Sequence, residues 1–273
     1  MGKFDGVLLA SDYDGTLRPE DLDYVPKPTL EAIDYFCANG GLFTVCSGRN
    51  LPFFQDEMKY ILKVNAPAIV SNGVFIYDDA DDKILYEKEL PMSARQDIAS
   101  FQRMFPDCGF EVHKGTKVYV TQERSCMQYH LSKLTRPFEH ADIEELDLPY
   151  SKFEVYLPKD ENGKVDPQYA DKVGRVLNEK YAAFLSDTMM DVGPKGITKG
   201  TGLLKLAEIL KIKRENIYCI GDSWNDVPMI EVANIGFVPE NGRDPVKRLG
   251  RVVKSAAEFA AKHVVEILDE IYD

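Results

Sequence analysis

Short apolar runs alternate with amphipathic stretches at both ends of this 273-residue chain, and that alternation constrains its fold more than any other feature. Val7-Leu8-Leu9-Ala10-Ser11 is apolar on both faces, as a strand covered by helices must be. Pro28 to Ala38 follows with helical spacing, its apolar positions being Leu30, Ile33, Tyr35, Phe36 and Cys37. Pro28 suits a first helical turn and Asn39-Gly40 an end. Leu42–Cys46 reads as a second strand, Pro52–Leu62 as a helix and Ala68–Ser71 as a third strand. The texture returns late in the chain. Leu203–Leu210, Val227–Ala233 and Ala256–Tyr272 read as helices, and Ile217–Ile220 and Ile235–Val238 as strands. Strand and helix in alternation predict an α/β fold, a doubly wound, Rossmann-like parallel sheet with helices on its faces.

The middle of the chain has another texture. Val74–Tyr77 and Lys83–Glu87 flank Asp78-Asp79-Ala80-Asp81-Asp82, which reads as a hairpin turn. Beyond it, strands are expected at Thr116–Thr121, Lys152–Leu157 and Ala182–Ser186. Helices are expected at Ser93–Phe105, Glu123–Leu134 and Pro167–Lys180. This is an α+β unit inserted into the first domain. The expected division is a core of 1–85 with 190–273 and an inserted cap of 86–189.

Charge and composition exclude several classes. Lys and Arg number 33 against 45 Asp and Glu, a net charge of −12. So acidic a chain is poorly suited to nucleic acid, whose binding needs cations to displace counterions. A polybasic membrane contact fails for the same reason. No run reaches the roughly 20 apolar residues of a membrane helix, and the N-terminus lacks the apolar core of a secretory signal. The five cysteines (37, 46, 108, 126 and 219) are scattered and form no C-x-x-C. They read as reduced thiols in a cytoplasmic protein. Oligomeric state is not legible.

Four segments carry chemistry. Asp12-Tyr13-Asp14-Gly15-Thr16 follows the first buried strand. Acids two residues apart can face one side, and a divalent cation such as Mg²⁺ would compensate their repulsion. Taken singly, such a pair is also what a capped, solvated turn contains. Gly221-Asp222-Ser223-Trp224-Asn225-Asp226 again places acids after a buried strand; buried like charges need a metal or a proton. Thr44-Val45-Cys46-Ser47-Gly48-Arg49 offers a hydroxyl and open backbone at a strand end, and Thr198-Lys199-Gly200-Thr201-Gly202 offers a cation at a helix start. No P-loop, G-x-G-x-x-G, H-E-x-x-H or G-x-S-x-G is present, and His113, His130, His140 and His263 are dispersed. Trp224, inside the fourth segment, reads as core packing before substrate stacking, with both open. Lys114, Lys117, Arg124 and Lys152 could contact substrate, though most of them read as solvated cations.

Together these segments resemble the four motifs of the haloacid dehalogenase-like phosphatases, most closely the Cof-type subfamily. They are SDYDGTL (11–17), VCSGR (45–49), ITKGTG (197–202) and GDSWNDVPMI (221–230). Ser71-Asn72-Gly73 is similar to that subfamily's S-N-G turn. Tyr13 and Ser47 depart from the more usual residues without removing a functional group. The resemblance implies that Asp12 is the nucleophile and Asp14 the general acid and base. Burial is expected to keep a proton on Asp14 while Asp12 stays ionised. The resemblance further implies a Mg²⁺ site at Asp12, Asp14 through its main-chain carbonyl, and Asp222, supported by Asp226. Tyr13 through its amide, Ser47, Gly48, Lys199 and Asn225 would hold the phosphoryl oxygens, and Arg49 would contact substrate. A small phosphorylated metabolite, a sugar phosphate first, is the expected partner. A phosphomutase would use the same residues. A metabolite-sensing protein without turnover is the other alternative, and it would have no need of Asp12 and Asp14.

Overall fold

The computed structural model describes residues 2–134, 136–186 and 188–273. The chain divides into two compact units, Met1–Tyr86 with Thr198–Asp273, and Glu87–Ile197.

The first unit begins with β1 (Leu8–Ser11) and β2 (Leu42–Val45), joined by the helix Lys27–Ala38. Next come β3 (Ala68–Val70), β4 (Phe75–Asp78) and β5 (Lys83–Glu87), which form a three-stranded sheet in that order. A parallel bridge between Cys46 and Ile69 continues the extension of β2 toward β3. The remaining strands of the chain are β6 (Gly109–Lys114), β7 (Lys117–Gln122), β8 (Phe138–His140), β9 (Lys152–Tyr156), β10 (Tyr181–Ser186) and β11 (Met189–Pro194), then β12 (Ile217–Ile220), β13 (Ile235–Pro239) and β14 (Arg251–Val253).

The principal sheet runs β14-β13-β12-β1-β2 with every pairing parallel. From β1 the chain winds outward through β2 on one side and through β12 to β14 on the other. The winding therefore reverses between β1 and β12, where open α/β sheets leave a crevice beyond the strand ends. Leu8, Ala10, Ile217 and Cys219 pack with Leu203, Leu206 and Met229 from the helices Lys199–Leu210 and Val227–Val232. The helices Lys27–Ala38 and Ala260–Ile271 pack on one another. None of the helices among the described residues is long and apolar enough to cross a membrane.

The stretch expected at 52–62 is helical over 51–61, with a π-helical turn, Phe54–Met58, between short α-helical turns. One expected helix is shorter than its periodicity implied. The last helix starts at Ala260, because Phe259 takes a left-handed conformation (φ 66°) after the short turn Ala256–Glu258.

The second unit is a six-stranded sheet, β10-β11-β9-β6-β7-β8, antiparallel except between β7 and β8. The helices Ala94–Met104 and Pro167–Asn178 cover one face, burying Ile98, Phe101, Phe110, Val112, Phe153, Val155, Val173 and Leu177. Glu123–Leu134, expected as one helix, is only a short turn, Ser125–Met127, and one α-helical turn, Gln128–Leu131. The expected division at 189/190 falls inside β11, which pairs with both β10 and β9 and so belongs to this unit.

Polar residues stand on the alternate positions of the same strands. Glu111, Glu154 and Asp191 are directly opposite one another across β6, β9 and β11. Lys152 is buried, not solvated as expected, and its Nζ lies 2.7 Å from both Glu154 Oε1 and Asp191 Oδ1. Two of the four histidines also come together in space. His113 and His130 contact the two oxygens of Glu111 at 2.8 and 3.0 Å.

Candidate active site

Register places the two acidic segments side by side. Ser11 is level with Ile220 across β1 and β12, and the Asp12 amide donates to the Ile220 carbonyl at 2.9 Å. Carboxylate oxygens of Asp12, Asp222 and Asp226 all lie within 4.8 Å of one another. A β-carbon on Gly221 would meet Asp226 Cγ at 2.4 Å, so this close approach requires glycine.

Lys199 enters from a third stretch of chain. It opens the helix Lys199–Leu210, whose N-cap Thr198 exchanges side-chain-to-amide hydrogen bonds with Thr201. The cap fixes the first turn. Lys199 Nζ donates to Asp12 Oδ1 and to Asp226 Oδ1, each at 2.5 Å. The other oxygen of Asp226 accepts from the Asp222 and Ser223 amides at 3.0 and 2.9 Å. Asp226 therefore anchors the lysine and the loop carrying Asp222 at once. Thr16, unassigned from sequence although it lies in the first motif, donates to Asp222 Oδ1 at 2.9 Å.

Three carboxylates face one ammonium here. Burial disfavours the charge on Lys199, but Asp12 and Asp226 outweigh it and hold its pKa above the ordinary value. Burial raises the Asp12 carboxyl well above its ordinary value, with Asp226 and Asp222 adding to it against the pull of Lys199. Asp222 is pushed up to about 6, by burial and then by Asp226. Crowded carboxylates of this kind bind a divalent cation or take up protons. An all-oxygen donor set suits a hard cation, so the residues fit the metal that the sequence led us to expect.

The side chain of Asp14 lies apart from this trio. Arg49 grips it with Nε at 2.8 Å and Nη2 at 3.2 Å, and Arg18 also pairs with it. Burial pushes the Asp14 carboxyl up, but the hydrogen bonds and charges of Arg49 and Arg18 outweigh it and hold the carboxyl below its ordinary value. The expectation that burial alone keeps Asp14 protonated is thus reversed by two arginines.

The remaining residues gather at the end of β2. Ser47 is buried, its Oγ accepts from the Arg49 amide at 3.0 Å, and its own amide donates to Ile69 at 2.9 Å. Asn225 Nδ2 donates to Asn72 Oδ1 at 3.0 Å, and a β-carbon on Gly48 would meet both side chains. The Tyr13 ring is buried, edge-on to Phe53. Trp224 is not core, as it is 51% exposed. Arg18 escaped the sequence reading, and Asn72 was read only as part of a turn, because their partners are set by turns that residue type alone does not specify.

Comparison with known proteins agrees with this geometry. The family model for haloacid dehalogenase-like hydrolases matches residues 9–260. A 5-amino-6-(5-phospho-D-ribitylamino)uracil phosphatase, YitU of Bacillus subtilis (strain 168), is 23% identical over 252 residues, covering 89% of each chain. Phosphoglycolate phosphatase 2 of Saccharolobus solfataricus is 25% identical over 268 residues, 97% of this chain and 92% of that one. Among solved structures, BT1666 from Bacteroides thetaiotaomicron superposes with a TM-score of 0.82 at 20% identity, over 97% of this chain and 96% of that one. The subclass IIB sugar phosphatase BT4131 gives 0.79 at 18% identity, over 97% and 98%. With its motifs gathered at the switch point of the sheet and the family model spanning most of its length, this chain belongs to the haloacid dehalogenase-like hydrolases.

Proposed function

We propose that the protein is a Mg²⁺-dependent phosphomonoester hydrolase acting on small phosphorylated metabolites, sugar phosphates first. One observation carries the reading: Lys199 is buried between Asp12 and Asp226, with Asp222 beside them. An ion-paired lysine beside a carboxylate crevice at a sheet's switch point is equipped to hold a phosphoryl group against a nucleophile. Phosphatase activity in relatives that match most of this chain supports it.

In this reading an Asp12 carboxylate oxygen attacks phosphorus and the bond to the leaving oxygen breaks, giving an aspartyl-phosphate. Asp14 acts as the general acid to that leaving oxygen once the bound phosphate draws Arg49 off its carboxylate, the contact that otherwise keeps it ionised, and lets it take up a proton. Water then attacks phosphorus, Asp14 takes the water's proton, and the Asp12–phosphorus bond breaks. Asp12, Asp222 and the main-chain carbonyl of Asp14 would hold Mg²⁺, with Asp226 fixing the surrounding loop. Bound there, the ion neutralises the crowded carboxylates and the developing phosphoryl charge. Ser47, Gly48, Lys199, Asn225 and the Tyr13 amide donate to the phosphoryl oxygens; a single such donor is worth about 3 kcal/mol in the transition state. Arg49, paired with Asp14 in the structure, gains a second anionic partner when a phosphate binds. The inserted unit 87–197 is the part assigned to substrate selection.

Asp12→Asn tests the assignment. The variant should stay folded and lose hydrolysis of p-nitrophenyl phosphate. Appreciable turnover by pure variant protein would remove Asp12 as the nucleophile.

A further inference from the structure

The turn Ser71-Asn72-Gly73 follows β3 and touches three separate stretches of the site. Its residues take three consecutive left-handed conformations, with φ of 52°, 54° and 97°. Ser71 and Asn72 carry side chains there, and such conformations persist only where the surroundings fix them. The Ser71 amide donates to the Arg49 carbonyl at 2.8 Å, and the Asn72 amide donates to the Ser47 carbonyl at 3.0 Å. A β-carbon on Gly73 would lie 2.3 Å from the carbonyl oxygen of Thr198, the residue before Lys199. Asn72 is 7% exposed, and its Oδ1 accepts from Asn225 Nδ2 at 3.0 Å.

That last bond has a chemical consequence. The two ends of a side-chain amide have nearly the same shape, and only hydrogen-bond partners decide which way it faces. An acceptor at Asn72 Oδ1 selects the nitrogen of Asn225 and uses one of its two hydrogens. The second is left for another acceptor. Turned over, Asn225 would present oxygen, which repels a phosphoryl oxygen. Gly48 closes the arrangement. A β-carbon there would lie 3.3 Å from both Asn72 Oδ1 and Nδ2 and 3.5 Å from Asn225 Nδ2.

We propose that Asn72 is a positioning residue, which sets the facing of the Asn225 amide and holds the Ser47–Gly48 loop against it, so that both present donors to one phosphoryl group. This rests on the phosphatase reading for its function, though not for the contact itself. Left-handed backbone explains why asparagine serves here, since it tolerates that conformation and carries an amide.

The experiment is a double-mutant cycle with a spectroscopic arm. Asn72→Gly removes the side chain and keeps the backbone conformation. For p-nitrophenyl phosphate, kcat/KM should fall about tenfold, the size of effect typical when the outer partner of a site residue is lost. Vanadate inhibition should weaken in parallel. In an Asn225→Ala background the same change should add less than about twofold, because the effect runs through Asn225. Equal losses in both backgrounds would overturn the proposal. Independently of activity, the side-chain amide resonances of Asn225, identified by their absence in Asn225→Ala, should move in Asn72→Gly. They should stay near their original positions in Asn72→Asp, which keeps an acceptor oxygen. Resonances unmoved in Asn72→Gly would also overturn the proposal. If the glycine variant does not fold, Asn72→Ser, too short to reach, serves both arms. A wild-type protein inactive on every phosphomonoester would sink the phosphatase reading, and the resonances would still decide whether Asn72 sets Asn225.

Discussion

Lys199 and Asp226 form an ion pair at 2.5 Å in which both side chains are fully buried. Removing one partner of a buried pair costs about 3–5 kcal/mol; Lys199 keeps its bond to Asp12, so the loss of Asp226 falls at the low end of that range. Asp226 also accepts the amides of Asp222 and Ser223, so its loss frees the loop that carries Asp222. Asp226→Ala should therefore lower the unfolding free energy measured in urea by about 3 kcal/mol and abolish phosphatase activity together. A variant with wild-type stability would show that the pair is not the anchor described here.

Asp14 yields a prediction about leaving groups. A general acid matters most where the departing oxygen is basic. Asp14→Asn should cost a sugar phosphate about 100-fold or more in kcat/KM and p-nitrophenyl phosphate far less, since nitrophenolate departs without a proton. Equal losses on both substrates would assign Asp14 to binding alone.

What the sequence made legible, and what it did not, follows from where each signal is written. Asp12, Lys199 and Asp222 were legible because each stands next to a strongly apolar strand or opens a helix, and alternating elements fix where such ends meet. The grip of Arg49 on Asp14 was not, because it depends on how the loop after β2 turns. Strand β6 was missed for another reason. Glu111 and His113 alternate with Phe110 and Val112 as in a strand with one wet face, yet both polar residues are buried. Only the neighbouring strands, which supply Lys152, Glu154 and Asp191, make that burial tolerable. Asn72 stood in a recognised turn, but no property of S-N-G names Asn225 as its partner.

Metal dependence should appear in stability as well as in turnover. Three carboxylates against one ammonium leave negative charge that a divalent cation relieves. EDTA should abolish hydrolysis and Mg²⁺ restore it. A ligand at 100 times its Kd stabilises the folded state by about 2.7 kcal/mol, so saturating Mg²⁺ should raise the melting temperature measurably. In Asp222→Asn this rise should shrink. Activity and melting both indifferent to EDTA would remove the metal from the mechanism.

The last prediction concerns pH and the inserted unit. Burial disfavours a charged His130, but Glu111, and Glu154 beyond it, outweigh that and hold its pKa above the ordinary value. A group whose pKa is raised on folding stabilises the fold fully below its unfolded pKa, near 6.5, and that stability is lost as pH rises through the folded value. Glu154 has the opposite sign. Burial would raise it, but Lys152 and then His113 outweigh burial and hold it well below the usual carboxylate range. Its contribution is present above the unfolded pKa, about 4.3, and lost as pH falls further. His130→Gln should therefore destabilise the protein most near pH 6, with the difference from wild type narrowing as pH rises through the folded pKa. Lys152→Met should destabilise it at pH 7, leaving Glu154 and Asp191 without their shared cation. Acidifying that variant from pH 7 to 5 should restore stability, because protonation relieves the buried carboxylates. Urea denaturation across this range reads both effects, and parallel stability curves for wild type and the two variants would show that the buried charges of this sheet do not titrate with folding.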